Sequence, residues 1–201
     1  LAGRVALEPI MPTDKTKIRY PRAAALDVAR ELCVALKPVT LRLVVAGSLR
    51  RMKAEVGDVE VLFVPKCEPR KLDLFHVGPV DLAAEMLEGL LRSGVLTKRV
   101  GKHGGTSWGE KNRLAVHVAS GIPVDLFAAT EANWWNYLVC RTGPAESNKR
   151  ICMAAIAKGW KWNPYGQGFS NAQSGLTVAM ESEEQVFKFV ELPFLPPEKR
   201  T

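Results

Sequence analysis

No apolar run in this 201-residue chain approaches the roughly 20 residues needed to span a bilayer, so the sequence predicts no transmembrane segment. No segment with charged, apolar and small-residue zones stands at its start, so a secretory leader is not expected. The chain opens at Leu1 and not at a methionine, so a few starting residues are expected ahead of it. Cys33, Cys67, Cys140 and Cys152 are widely spread, with no Cys-x-x-Cys pair and no histidine beside them. That spacing argues against structural zinc and for free thiols in a reducing cytoplasm. Histidine is scarce, and His76, His103 and His117 stand apart from one another. They read as loop or strand residues, not ligands. Internal repeats and low-complexity tracts are missing as well.

What is present is a basic globular chain. Apolar residues make up 47%, charged residues 24%, and the net charge is +7. A chain of this length can bury one good core, or one core plus a small appended subdomain. The basic balance favours a polyanionic partner, DNA or RNA.

Residues 47 to 64 carry the chemistry. An apolar strand (Leu43, Val44, Val45) runs into Gly47-Ser48, where backbone N–H groups can turn toward an anion. Arg50, Arg51 and Lys53 follow, and Gly57 opens a second apolar strand bearing Asp58 and Glu60. Alternation puts these two acids on one face and Val59 and Val61 on the other. Side-by-side carboxylates are costly unless a cation lies between them. A Gly-Ser turn with arginine beside such a pair reads as a site for a metal-bound nucleoside triphosphate.

The pattern Gly-Ser, two Arg, Gly-Asp-x-acid resembles the signature of the family X DNA polymerases, the relatives of DNA polymerase beta. Further motifs follow in order. Val124-Asp125-Leu126-Phe127 offers a third acid, and Arg141-Thr142-Gly143 through Arg150 is similar to the segment that closes over the incoming nucleotide. Gly159 to Gly166, with Asn163 and Tyr165, and the ending Leu192-Pro193-Phe194-Leu195-Pro196-Pro197-Glu198-Lys199-Arg200 are similar to the family's closing motifs. The Gly-Asp-x-Glu variant and the small size look most like the compact phage and bacterial forms.

The coarse reading is α+β. A helix from Pro21 to Lys37, strands at 41–46 and 59–64, a short helix at 48–54, and a helix from Pro79 to Arg92 capped by Gly94 are expected. An antiparallel pair at 95–100 and 113–118 and a strand at 122–128 follow. Beyond Thr130 the segments are helical: 131–140, 144–158 and 182–191, the last opened by the capping box Ser182-Glu183-Glu184-Gln185. With the resemblance, residues 1–129 are a palm, a mixed sheet with helices on one side, and 130–201 a small, mainly helical thumb. Residues 1–20 are expected to lie along the surface.

The resemblance implies that Asp58, Glu60 and Asp125 hold two Mg²⁺ ions, with Mn²⁺ able to substitute. Asp125 would accept the primer hydroxyl proton. Gly47, Ser48, Arg51 and Gly57 would contact phosphates, and Cys140, Arg141, Thr142, Gly143 and Asn148 the sugar and base. Arg50 reads as structural or solvent-facing and Lys53 as a surface charge. Lys102, Lys111 and Arg113 stand either as phosphate contacts or as a solvated hairpin. Trp134, Trp135, Trp160 and Trp162 read as thumb core.

The family is departed from at Glu60, where beta-type enzymes carry Asp, and at Cys140-Arg141, which replaces an aromatic pair beside the sugar. Loss of those rings predicts easier acceptance of ribonucleotides. The implied partners are a primer-template or gapped DNA and a nucleoside triphosphate, with the protein a monomer in the cytoplasm of a bacterial or phage-infected cell. On this reading neither the lyase domain of larger relatives, for which the stretch ahead of the first helix is short, nor a phosphoesterase domain is expected. The reading is thus a minimal DNA repair polymerase. A template-independent or ribonucleotide transferase, or a nucleic-acid binding module with decayed catalysis, are the alternatives.

Overall fold

The computed structural model describes residues 18–71, 73, 76–101 and 104–200. Most of the expected surface stretch at 1–20 therefore lies outside the described residues, as do Lys102 and His103. The first elements are Tyr20–Pro21 (β1), Arg22–Leu36 (α1), Thr40–Val45 (β2), Gly47–Arg50 (α2), Glu55–Val56 (β3) and Val59–Pro65 (β4). Cys67–Lys71 (β5), Val77–Asp81 (β6), Leu82–Arg92 (α3), Leu96–Lys98 (β7), Asn112–His117 (β8) and Pro123–Ala128 (β9) follow. A mixed five-stranded sheet in the order β2-β4-β9-β8-β7 forms the frame. Only β4 and β9 run parallel; the other pairings are antiparallel.

Strand alternation gives the sheet two different faces. Val59, Val61, Phe63, Val124 and Leu126 are buried with Ala25, Val28, Ala29, Leu32 and Leu36 of α1 and Ala83 and Leu87 of α3. The helical spacing along α1 is what lets one stripe meet that face. Leu62, Val64 and Phe127 point the other way, into a second cluster with Trp134, Tyr137 and Leu138.

One expected helix is shorter than its sequence suggested. Pro79 does not start it; residues 77–81 are a strand paired with β5, with Pro79 opposite Pro69. Proline lacks the ladder donor and is tolerated in such a marginal ribbon. The helix begins after Asp81, whose Oδ1 accepts from Ala84 N at 2.9 Å, a better cap than proline can supply.

The C-terminal region holds Trp134–Thr142 (α4), Ala145–Ala157 (α5), Lys161–Asn163 (β10), Gly168–Ser170 (β11), Thr177–Val178 (β12) and Glu183–Phe189 (α6). The three strands form a small antiparallel sheet whose Trp162 and Phe169 are buried with Val139, Ile151, Val186 and Phe187. Ser182 caps α6 by accepting from Gln185 N at 3.1 Å, while the Gln185 side chain reaches back to Glu181 N.

Candidate active site

The parallel pairing of β4 and β9 sets Glu60 directly opposite Asp125. Asp58 stands two residues before Glu60 at the entrance to β4. The acids share the sheet face of Leu62 and Phe127, away from the α1 and α3 core. Glu60 also ties the strand to α2, because its carbonyl accepts from Ala46 N at 2.8 Å. Its carboxylate lies against Gly47, where φ is +61° and a Cβ would collide with Oε2. Only glycine satisfies both conditions.

The electrostatics are strained toward a cation. Burial, then the charges of Asp58 and Asp125, push the Glu60 carboxyl from 4.5 up to about 7. Burial also raises Asp125, against the opposing pull of Arg99. Arg99, just past β7, places Nη2 2.7 Å from Asp125 Oδ1. Nothing in the sequence pattern singles out Arg99; only the β7–β8–β9 ladder brings it there.

The donor set suits Mg²⁺. Hard divalent ions prefer carboxylate oxygens, and an under-compensated, largely buried Glu60 between two further acids is where such an ion relieves repulsion. The three acids are not drawn into one cage in this arrangement, and among the described residues no group of three or more is placed to hold a metal. Arg99 pairs Asp125, and Glu60 turns toward Gly47.

Next to the acids, α2 presents an open basic cleft lined by Arg19, Ser48, Arg51, Lys53, Ala54 and Glu55. Lys53, expected as a surface charge, thus lies beside Ser48 and Arg51. Arg51 Nη1 donates to the Thr142 carbonyl. Gly143 follows with φ +59°, and a Cβ there would come 3.3 Å from Arg51 Nη1. Arg50 is structural: it donates to Thr142 Oγ1 at 2.6 Å and to both Glu183 oxygens at 2.8 and 2.6 Å. Arg200 donates to the same Glu183 at 3.2 Å and is almost fully buried, at 1% exposure. Two arginines and one carboxylate therefore fasten the C-terminal region to α2.

Residues 137–201 match the family model described as the DNA polymerase beta thumb. This part of the chain is a DNA polymerase beta thumb. None of the curated proteins compared with the chain matches it.

Within the thumb, Cys140 and Arg141 stand near the end of α4, Cys140 against the thumb core and Arg141 over Phe127 of the sheet. The Arg141 guanidinium lies 3.6 Å from the centroid of the Phe127 ring, 5.3 Å from Tyr137 and 5.4 Å from Tyr165. Arginine at this position is thus packed among aromatic rings that sequence comparison with the aromatic pair did not anticipate. Asn148 donates through Nδ2 to the Cys140 carbonyl at 2.9 Å, a hold on that backbone that does not depend on the missing rings. Gly57 is buried at the entrance to β4.

Other expected contacts lie elsewhere. Arg113 is buried and donates to the Glu110 carbonyl at 3.0 Å, so it is no surface phosphate contact, whereas Lys111 is exposed. His117 is buried against Ser120 and Glu31, and His76 pairs with Asp73. Trp134 packs on the sheet while Trp162 is in the thumb core, with Trp135 and Trp160 at its margin.

Proposed function

We propose that this chain is a minimal family X DNA polymerase, a nucleotidyltransferase that extends a DNA 3′ end, with residues 1–129 as its palm and 130–201 as its thumb. The observation that carries the reading is the in-register pair Glu60 and Asp125, preceded by Asp58, on a sheet whose chain continues into a polymerase beta thumb. A DNA partner follows from the thumb and from the net charge of +7. No helix of the described residues is long and apolar enough to cross a membrane.

Asp58, Glu60 and Asp125 would hold two Mg²⁺ ions. When bound, the ions supply Lewis-acid neutralisation of the triphosphate and a more acidic primer hydroxyl. Asp125, made more basic by burial, accepts the proton of the 3′-hydroxyl. The 3′ oxygen forms its bond to the α-phosphorus in line with the bridging oxygen, whose bond breaks as pyrophosphate leaves. Ser48 and Arg51 orient the β- and γ-phosphates, arginine offering two donors to one phosphate. The Thr142-Gly143 backbone and the Cys140 carbonyl bound the sugar, and Asn148 holds that carbonyl in place.

Primer extension tests the reading. The expected result is Mg²⁺-dependent incorporation on gapped or primed template, abolished by Asp125→Ala with the circular dichroism spectrum unchanged. Full turnover by Asp125→Ala removes the mechanism. The same assay with single-stranded primer, and with CTP against dCTP opposite template G, decides between the templated polymerase and a template-independent or ribonucleotide transferase. DNA binding with no incorporation under any condition selects the decayed binding module.

A further inference from the structure

The turn after α2 is built around a residue that rarely makes such a turn. Met52 has φ +59°, a left-handed conformation uncommon outside glycine. It is 62% exposed, so burial of its side chain does not account for the reversal. What the reversal does is fold the chain back: Met52 N donates to the Leu49 carbonyl at 3.0 Å and Lys53 N to the Ser48 carbonyl at 3.1 Å. Lys53 is thereby set beside Ser48, on the wall of the cleft it shares with Arg19, Arg51, Ala54 and Glu55. Arg51 is held there by the Thr142 carbonyl, and its Nε is buried without a hydrogen-bond partner. Among the described residues neither Arg19 nor Lys53 has an ion pair, and Glu55 is the one acid in the lining. Three cations and one carboxylate in an open cleft suit a polyanion, and a lysine ammonium, a compact charge with three donors, suits a phosphate free at its end. None of the three acids of the sheet lines this cleft. It begins at Ser48, one residue past the Gly47 that lies against Glu60, so it receives what extends away from the reacting centre.

We propose that Lys53 is a binding residue for the terminal phosphate of the nucleoside triphosphate, and that it sets the preference for triphosphate over diphosphate. This rests on the polymerase reading, in which Ser48 and Arg51 orient the β- and γ-phosphates. Lys53 adds a charge that only the γ-phosphate reaches; a diphosphate ends one phosphate short of it. The backbone reversal at Met52 fixes where that charge stands, whereas Arg51 is shared with the thumb through Thr142.

The test is titration calorimetry of dCTP and dCDP, with Mg²⁺, into the whole protein on a gapped duplex with template G. The primer ends without a 3′-hydroxyl, so binding is read with no incorporation. Wild type is expected to bind dCTP more tightly than dCDP. Lys53→Met, which drops the charge and keeps the length, should weaken dCTP roughly tenfold, the worth of one hydrogen bond to a charged group, and leave dCDP unchanged. Lys53→Arg, which keeps the charge, should retain most of the preference. Equal weakening of both nucleotides by Lys53→Met, or weakening of neither, overturns the proposal and leaves the polymerase reading in place. Failure of the wild-type protein to bind either nucleotide overturns both.

Discussion

Replacing Glu183 by Gln should unfasten the thumb. The substitution keeps the shape and removes the one negative charge shared by Arg50 and Arg200. Arg200 pays in full, since its side chain is 0% exposed and its remaining contacts are the Leu195 carbonyl and the rings of Phe187 and Phe194. Arg50, 21% exposed, recovers part of its loss to water and keeps Thr142. Removing one partner of a buried ion pair costs roughly 3–5 kcal/mol, and the Arg50 share is discounted for screening, so a loss of about 3 kcal/mol is expected. With a slope of roughly 2 kcal/mol per molar urea, the midpoint falls by about 1.5 M. Tryptophan fluorescence follows it well, because Trp134, Trp135, Trp160 and Trp162 lie beyond residue 130 and only Trp108 lies before it. A cycle with Arg50→Met locates the coupling, since the two residues are in direct contact and their effects should not add. A loss under about 1 kcal/mol, or strict additivity in the cycle, refutes the argument that this carboxylate joins α2 to the thumb.

Two further outcomes follow from the acid face. Glu60 is raised from 4.5 to about 7 in the fold, so without metal its contribution to stability is fully present below pH 4.5 and lost as pH rises through about 7. The difference amounts to about 3 kcal/mol at most; urea midpoints of wild type and Glu60→Gln measured across that window should converge at low pH and separate at high pH, and parallel curves contradict the assignment. Gly47→Ala forces a Cβ onto Glu60 Oε2 at positive φ, and should cost about 1–3 kcal/mol and most incorporation, whereas Ser48→Ala should leave stability within about 0.5 kcal/mol; equal tolerance of both speaks against the close approach.

Much of the frame was legible in the sequence, and the reasons for the remainder are specific. Two-residue periodicity in Val59, Val61 and Phe63, and the helical stripe of α1, report burial against a single face, so those elements were read correctly. The ribbon of Cys67–Lys71 and Val77–Asp81 was missed because Pro69 and Pro79 resemble breakers, and because a two-stranded ribbon buries too little to leave a hydrophobic period. The thumb sheet was missed for the same reason: strands of two or three residues carry no pattern. Asp58 and Glu60 could be named from their apolar strand and Asp125 from the family resemblance, yet the in-register approach of Glu60 and Asp125 depends on strand pairing. Arg99 depends on it more strongly still, since it does not lie near the acids in sequence. Glu183 was visible only as a capping-box residue; that it also grips two arginines is a tertiary fact.

Glu60 and Asp125 occupy the inner, doubly paired strands of the five-stranded sheet. β4 has β2 on one side and β9 on the other, and β9 has β4 and β8. The peptide groups carrying Glu60 and Asp125 are thus shielded from both flanks, and their amides should be among the last to exchange with solvent. The residues that would meet the sugar sit instead where α4 ends, at the glycine turn of Gly143. One chain thereby divides its support: the acids are carried by paired strands, and the residues proposed to meet the nucleotide sit on a turn held by the side chains of Arg50, Arg51 and Asn148. A slip of one residue along β4 would present valine in place of glutamate, so the register that builds the sheet also decides whether there is a site at all.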